Sequence, residues 1–223
     1  KIQFLIPIKN IALKYSSSVF LFTGIEGIGK RKIASIICNN LLNLDKSYLN
    51  IGENILVNNE SLYDKKAYNL FKNNTHPDAF IIENHEETII PIETTRSLKK
   101  FLNATSGISE NKVVIVDTID QMSLNSLNML LKSLEEPPDG TFIFLISHNS
   151  SKIIKTIQSR VFKFNFRPLD EEKLLKVFSQ NKFNNISDEE ILYLGTFFNN
   201  SPGLIIKHYN ENFFKNYENL INF

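Results

Sequence analysis

The 223-residue sequence predicts an α/β protein: a five-stranded parallel sheet with helices on both faces, followed by a small all-helical segment. Three observations carry this. Strand-length apolar runs alternate with stretches of helical periodicity as far as residue 166. Two of those runs, residues 113–116 and 142–146, are continuously apolar, as in strands buried on both faces. Beyond Pro168 the helical spacing continues but no strand signal remains. The chain therefore reads as two domains, 1–166 and 167–223, with the boundary near Arg167-Pro168.

The elements follow in order. Ser18–Thr23 is apolar, rich in β-formers and ended by a glycine cluster, so it reads as a buried strand. Residues 30–44 carry Ile33, Ile36, Ile37, Leu41 and Leu44 at helical spacing. Residues 45–74 are polar and rich in asparagine, a connection with one helix over about 61–71. A second strand, 79–82, precedes a helix over 92–102 whose apolar side is Ile92, Leu98, Phe101 and Leu102. Residues 112–116 form a third strand, followed by Asp117. The clearest helix spans 123–135: Ser123 is its N-cap, Leu124, Leu127, Leu130, Leu131 and Leu134 line one face, and Pro137-Pro138 stops it. Residues 141–146 are a fourth strand. In 161–166 alternation puts Phe162, Phe164 and Phe166 on one side of a fifth. Helices follow around 174–178, 189–198, 203–209 and 213–220.

Composition removes several function classes. The single cysteine, Cys38, excludes an internal disulfide and a cysteine-cluster zinc site. With 25 Lys+Arg against 24 Asp+Glu the net charge is +1, so bulk charge does not drive polyanion binding. The Lys30-Arg31-Lys32 and Lys99-Lys100 clusters read as solvated faces, and any DNA contact would be to phosphates. No run reaches the roughly 18–20 apolar residues of a membrane span, and no secretory leader is read at the N-terminus. A cytoplasmic protein with no membrane association is expected. His76, His85, His148 and His208 are scattered without ligand spacing, and no metal site is expected.

The chemistry concentrates at Gly24-Ile25-Glu26-Gly27-Ile28-Gly29-Lys30, which fits the phosphate-binding spacing G-x-x-x-x-G-K between a strand and a helix. Gly24, Gly27 and Gly29 let the backbone wrap phosphate oxygens, the helix N-terminus favours an anion, and Lys30 reaches the terminal phosphates. The bland alternative is a glycine turn. One position departs: the motif wants Ser or Thr after the lysine to ligate Mg²⁺, and Arg31 stands there. Either ATP or ADP is held without productive metal, or nucleotide has been lost. Asp117, at the end of a buried strand, is a second candidate metal ligand, with a loop-capping acid as the alternative. Glu135 and Glu136 look like a carboxylate pair, but adjacent helix positions face apart, and a solvated helix end is expected. Cys38 is read as a small core residue.

The order of motifs resembles a known family. Besides the phosphate loop it includes Thr75-His76-Pro77-Asp78, Ile92-Glu93-Thr94-Thr95-Arg96-Ser97-Leu98, Lys112-Val113-Val114-Ile115-Val116-Asp117, the string from Asn128 through Leu130-Leu131-Lys132-Ser133-Leu134-Glu135-Glu136 to Pro137-Pro138, and Thr156-Ile157-Gln158-Ser159-Arg160. Together they are similar to the AAA+ subunits of the bacterial DNA polymerase III clamp loader, the delta prime subunit with gamma/tau as its close relative. The resemblance covers most of residues 15–166 and weakens towards 208. It implies a AAA+ module with a helical lid, working in a ring that opens a sliding clamp and places it on primed DNA. The implied partners are the gamma/tau and delta subunits, with the clamp and primer-template DNA reached through the complex.

The resemblance also assigns roles. Arg160, with Ser159 before it, matches the family's Ser-Arg-Cys motif, whose arginine reaches the nucleotide site of the neighbouring subunit; the cysteine is replaced by Val161. Spacing alone reads Arg160 as a surface residue. AAA+ ATPases follow the strand-end Asp with a water-polarising Glu, where this chain has Thr118, and Asp120 lies too far along. The lid's sensor arginine is replaced by Leu204 after Ser201-Pro202-Gly203. The family's zinc module needs four cysteines, so no zinc is expected, and the C-terminal collar is expected to be absent from these residues. The reading that follows is a non-hydrolysing ring scaffold that donates Arg160 in trans. An active gamma/tau-type ATPase and a phosphotransferase using the same phosphate loop are the rivals.

Overall fold

In a computed structural model of the chain, residues 11, 14–43, 65–83, 89–149, 151, 153–181, 183 and 186–210 are described. Five strands form one sheet: β1 (Ser18–Thr23), β2 (Ala79–Glu83), β3 (Lys112–Asp117), β4 (Thr141–Ser147) and β5 (Phe162–Asn165), in the order β2-β3-β4-β1-β5. The pairs β1–β4, β3–β4 and β2–β3 are parallel, which requires the crossovers that the alternating sequence announces.

Helices α1 (Lys30–Asn43), α2 (Lys65–Lys72), α3 (Ile92–Asn103), α4 (Leu124–Glu135) and α5 (Lys155–Gln158) accompany the sheet, and α6 (Glu171–Gln180), α7 (Asp188–Phe197) and α8 (Pro202–Asn210) follow it. The pleat sorts the strand residues. Val19, Leu21, Val114, Val116, Ile143 and Leu145 share one core with Leu98 and Leu102 of α3, Leu127, Leu130 and Leu134 of α4, and Ile157 of α5. The alternate residues take the other face, where Phe20 stacks on Phe144 at 4.9 Å and Phe22 meets the same ring edge-on at 5.7 Å. Helix α1 buries Ile33, Ala34, Ile37, Cys38 and Leu41. Burial pushes the Cys38 thiol well above its ordinary pKa, with nearby Arg31 pulling back only in part, so Cys38 is an inert core residue.

By contact, the described residues form two compact units. One comprises those up to Thr23 together with Arg31–Phe164, and the other joins Gly24–Lys30 to the residues from Asn165 onward. The phosphate loop, expected with the N-terminal domain, thus groups with the helical segment. The second unit has its own core of Leu174, Phe178, Ile186, Ile191, Leu194 and Ile205. Its helices are capped as their sequences direct: Asp170 accepts from Lys173 N at 2.8 Å, and Ser187 with Glu190 forms a capping box.

One expectation changes. Ser123 does cap α4, accepting from Ser126 N at 3.1 Å, but Leu124 is 60% exposed: the first residue of the helix lies beyond the edge of the core that Leu127 reaches. As the alternation predicts, Phe162 and Phe164 lie on one side of β5 and both meet the Phe20 ring; Phe162 stays 37% exposed because β5 is an edge strand. Helix α2 begins at Lys65, and the earlier part of its expected span falls outside the described residues, as does the helix expected over 213–220.

Candidate functional site

In the first unit, Glu83 and Asp117 end the parallel strands β2 and β3 and are register partners, so both carboxylates rise at one edge of the sheet on the same face. Arg31, in the first turn of α1, pairs with Glu83 through Nη2, places Nη1 3.9 Å from Asp117 Oδ2, and donates from Nε to Ser35 Oγ at 3.2 Å. A guanidinium thus lies where two strand-end acids converge. This set does not fit Mg²⁺: the side chain that should offer a hydroxyl oxygen offers a fixed positive charge, and its field opposes a second cation. Sequence reasoning missed Glu83. The signal was present, since the run 79–82 ends in an acid just as 113–116 does.

Thr118, at the position of the water-polarising acid, is buried. Asp120 accepts hydrogen bonds from Ser147 Oγ at 2.8 Å, from His148 N at 2.6 Å and from Asn149 N at 3.1 Å. Its role is to hold the turn after β4, with the oxygens directed at fixed donors. Asp78, in the Thr75-His76-Pro77-Asp78 motif, is also structural. Both of its oxygens receive backbone N–H groups, from Gly107, Ile108 and Ser109, and its own N–H donates to His76 Nδ1 at 3.1 Å. Burial pushes the Asp78 carboxyl up, but the three N–H groups and His76 together outweigh it and leave its pKa below the ordinary value. Lys112 is buried and donates to the carbonyls of Phe101, Leu102 and Ala104, closing the C-terminus of α3; burial lowers its pKa, with Asp78 pulling the other way.

In the second unit, the phosphate loop is engaged with its own unit. Lys30 is buried, and Nζ donates to the carbonyls of Gly24 at 2.6 Å and Ile25 at 2.7 Å. Ser201 Oγ donates to the Glu26 carbonyl at 2.6 Å, and the Gly203 N–H donates to the Gly27 carbonyl at 2.9 Å. Gly27 has φ +73°, and a Cβ there would sit 2.6 Å from Leu204 N and from Ser201 Oγ. Gly203 is the reciprocal case, where a Cβ would meet Gly27 Cα at 2.7 Å. The start of α8 therefore packs on the loop through two facing glycines. Leu204, directly after Gly203, brings no charge to this packing.

Arg160 follows α5 on the first unit and is half-exposed. Its Nε forms an ion pair with Glu135 Oε1 at 3.1 Å, and Nη1 donates to the Thr156 carbonyl and to Ser159 Oγ, each at 3.0 Å. Glu135, expected to be a merely solvated helix end, is the ion-pair partner. Among the described residues no group of His, Cys, Asp and Glu is arranged to hold a metal ion, and no helix is long and apolar enough to cross a membrane.

Residues 8–170 match the model of the family described as DNA polymerase III, delta subunit. The chain belongs to that family. It is similar to the delta prime subunit of Pseudomonas aeruginosa DNA polymerase III, 42% identical over 96 residues that cover 43% of this chain and 29% of that protein. It is also similar to the gamma subunit from Buchnera aphidicola of Schizaphis graminum, 28% identical over 185 residues covering 82% of this chain and 48% of the relative. The matches thus span less than half the length of these two relatives. A crystal structure of a gamma-subunit-related protein from Thermotoga maritima superposes with a TM-score of 0.52 at 22% identity, covering 78% of this chain and 49% of that one. At that identity it shows the fold: the AAA+ sheet followed by a helical lid.

Proposed function

We propose that the chain is the AAA+ part of a clamp-loader subunit that does not hydrolyse ATP, serving as a ring scaffold and donating Arg160 to a neighbouring ATPase subunit. One observation carries the reading. Arg31, directly after the phosphate-loop lysine, spends its guanidinium on Glu83 and Asp117, the acids from which a metal ligand would be drawn. Thr118 and the fully engaged Asp120 support it by leaving no acid at the water-polarising position. Lys30 must give up the Gly24 and Ile25 carbonyls before it can meet a phosphate, so ATP or ADP at this loop binds weakly and stays intact. No step of hydrolysis is assigned to this chain's own site.

The partners in this reading are gamma/tau and delta subunits, with the sliding clamp and primer-template DNA contacted through the assembled ring in the cytoplasm. A donated arginine neutralises charge on the phosphoryl group transferred next door, so a subunit inactive at its own loop still contributes to turnover. The test is an ATPase assay of the isolated protein. Background turnover is expected with or without Mg²⁺; a rate near the ordinary enzymatic range, about 1 s⁻¹ or more, refutes the reading.

A further inference from the structure

Arg160 is half-exposed, yet its guanidinium is held. Glu135 Oε1 forms an ion pair with Nε, the Thr156 carbonyl and Ser159 Oγ accept from Nη1, and Ser159 Oγ is itself fixed by donating to the Thr156 carbonyl at 3.1 Å. Nη2 has no partner among the described residues. The group is planar and rigid, so anchoring two of its nitrogens fixes where the third points. The anchors come from two places in the chain. Glu135 is the last residue of α4, whereas Thr156 and Ser159 belong to the turn of α5 that carries Arg160. Only Glu135 ties the arginine to a second element, and that element is packed into the core through Leu127, Leu130 and Leu134.

We infer that Glu135 is a positioning residue for Arg160: it holds the Nε edge against the end of α4, so that Nη2 is presented, already oriented, to an anionic phosphate brought by a neighbouring subunit. The inference rests on the reading of Arg160 as a group donated in trans. An unrestrained arginine would lose much of its rotamer freedom on engaging phosphate; here part of that loss is met in the folded chain. The arrangement makes the Leu134-Glu135-Glu136 string and the Ser159-Arg160 pair, far apart in sequence, parts of one device.

The test uses the natural full-length protein assembled with its loader ATPase subunits, with ATP turnover as the readout. Glu135→Ala is expected to lower kcat on the order of tenfold with little change in KM for ATP, the pattern of a misplaced transition-state group. Glu135→Gln, which keeps the side-chain shape but removes the charge that pairs with the guanidinium, is expected to lower kcat to a similar extent. The double variant Glu135→Ala with Arg160→Ala is no slower than Arg160→Ala alone. Unchanged or faster turnover in Glu135→Ala overturns the inference, as does a glutamine variant as fast as the wild type, or a further loss in the double variant. If Arg160→Ala itself leaves turnover unchanged, the trans role fails and this inference with it, an outcome distinct from a failure at Glu135 alone. Native mass measurement of each assembly establishes that the ring is intact.

Discussion

Arg31→Thr restores the hydroxyl that a metal-binding phosphate loop carries, and it removes the guanidinium placed between Glu83 and Asp117. Those two are register partners on adjacent parallel strands, which lie roughly 5 Å apart. Two unit charges at about 5 Å repel by about 3 kcal/mol at an effective dielectric constant near 20. Both side chains keep solvent access, 31% for Glu83 and 21% for Asp117, so screening reduces the net cost to about 1–2 kcal/mol. For a chain of this size that lowers Tm by about 3–6 °C. A divalent cation should now be welcome where it was repelled. Thermal unfolding followed by circular dichroism, at matched ionic strength with Mg²⁺ or with Na⁺ alone, reads both effects. The variant is expected to melt below the wild type in Na⁺ and to regain part of the difference in Mg²⁺, while the wild type responds equally to both salts. Equal melting of variant and wild type in Na⁺, or a deficit that Mg²⁺ leaves untouched, would show that the guanidinium does not stand in for a metal.

Two other substitutions probe the scaffold around the site. Asp78→Asn weakens a carboxylate that receives three backbone N–H groups and should cost about 2–3 kcal/mol in urea unfolding. Because the folded pKa of Asp78 is depressed, its contribution is complete above the unfolded-state value and is lost as pH falls through the lower folded value. Below about pH 4 the gap between wild type and variant should therefore narrow, and a gap that widens there contradicts the assignment. Gly27→Ala places a Cβ at φ +73° against Leu204 N and Ser201 Oγ, at a cost of roughly 1–3 kcal/mol. Hydrogen exchange over 202–210 should accelerate, and unchanged protection there would mean that α8 does not depend on the loop.

The sheet was legible because its strands are buried on both faces. Residues 113–116 and 142–146 had no polar position to confuse the period, and β3 and β4 each extend only one residue beyond the apolar run at either end. Helix α4 was legible from its leucine spacing, its serine cap and its double-proline stop. What the pattern could not carry was short or local: α5 spans 4 residues, too few for any periodicity to register. Nor does a linear pattern reveal that residues 24–30 are gathered by Ser201 and Gly203, because that packing joins backbone atoms across some 175 positions.

For the site, the distinction lies between a residue's type and its partner. The altered type at 31 was visible at once, but its consequence depended on strand order. Only when β2 lies beside β3 does Glu83 come level with Asp117 and give the guanidinium two carboxylates to satisfy. The same holds for the other acids. Asp78 is answered by N–H groups 29 to 31 residues further on, Asp120 by the turn 27 to 29 residues on, and Glu135 by Arg160. Each of these carboxylates holds a loop, a turn or a cation in place, with its oxygens directed at those fixed partners. A hydrolytic site needs the opposite, an acid whose oxygens are directed at a water and whose basicity is preserved. Glu83 and Asp117 at the ends of β2 and β3, Asp78 before β2, Asp120 and Glu135 are each committed to fixed donors or to a guanidinium, and Arg160 is held by Glu135 through Nε and by the Thr156 carbonyl and Ser159 Oγ through Nη1.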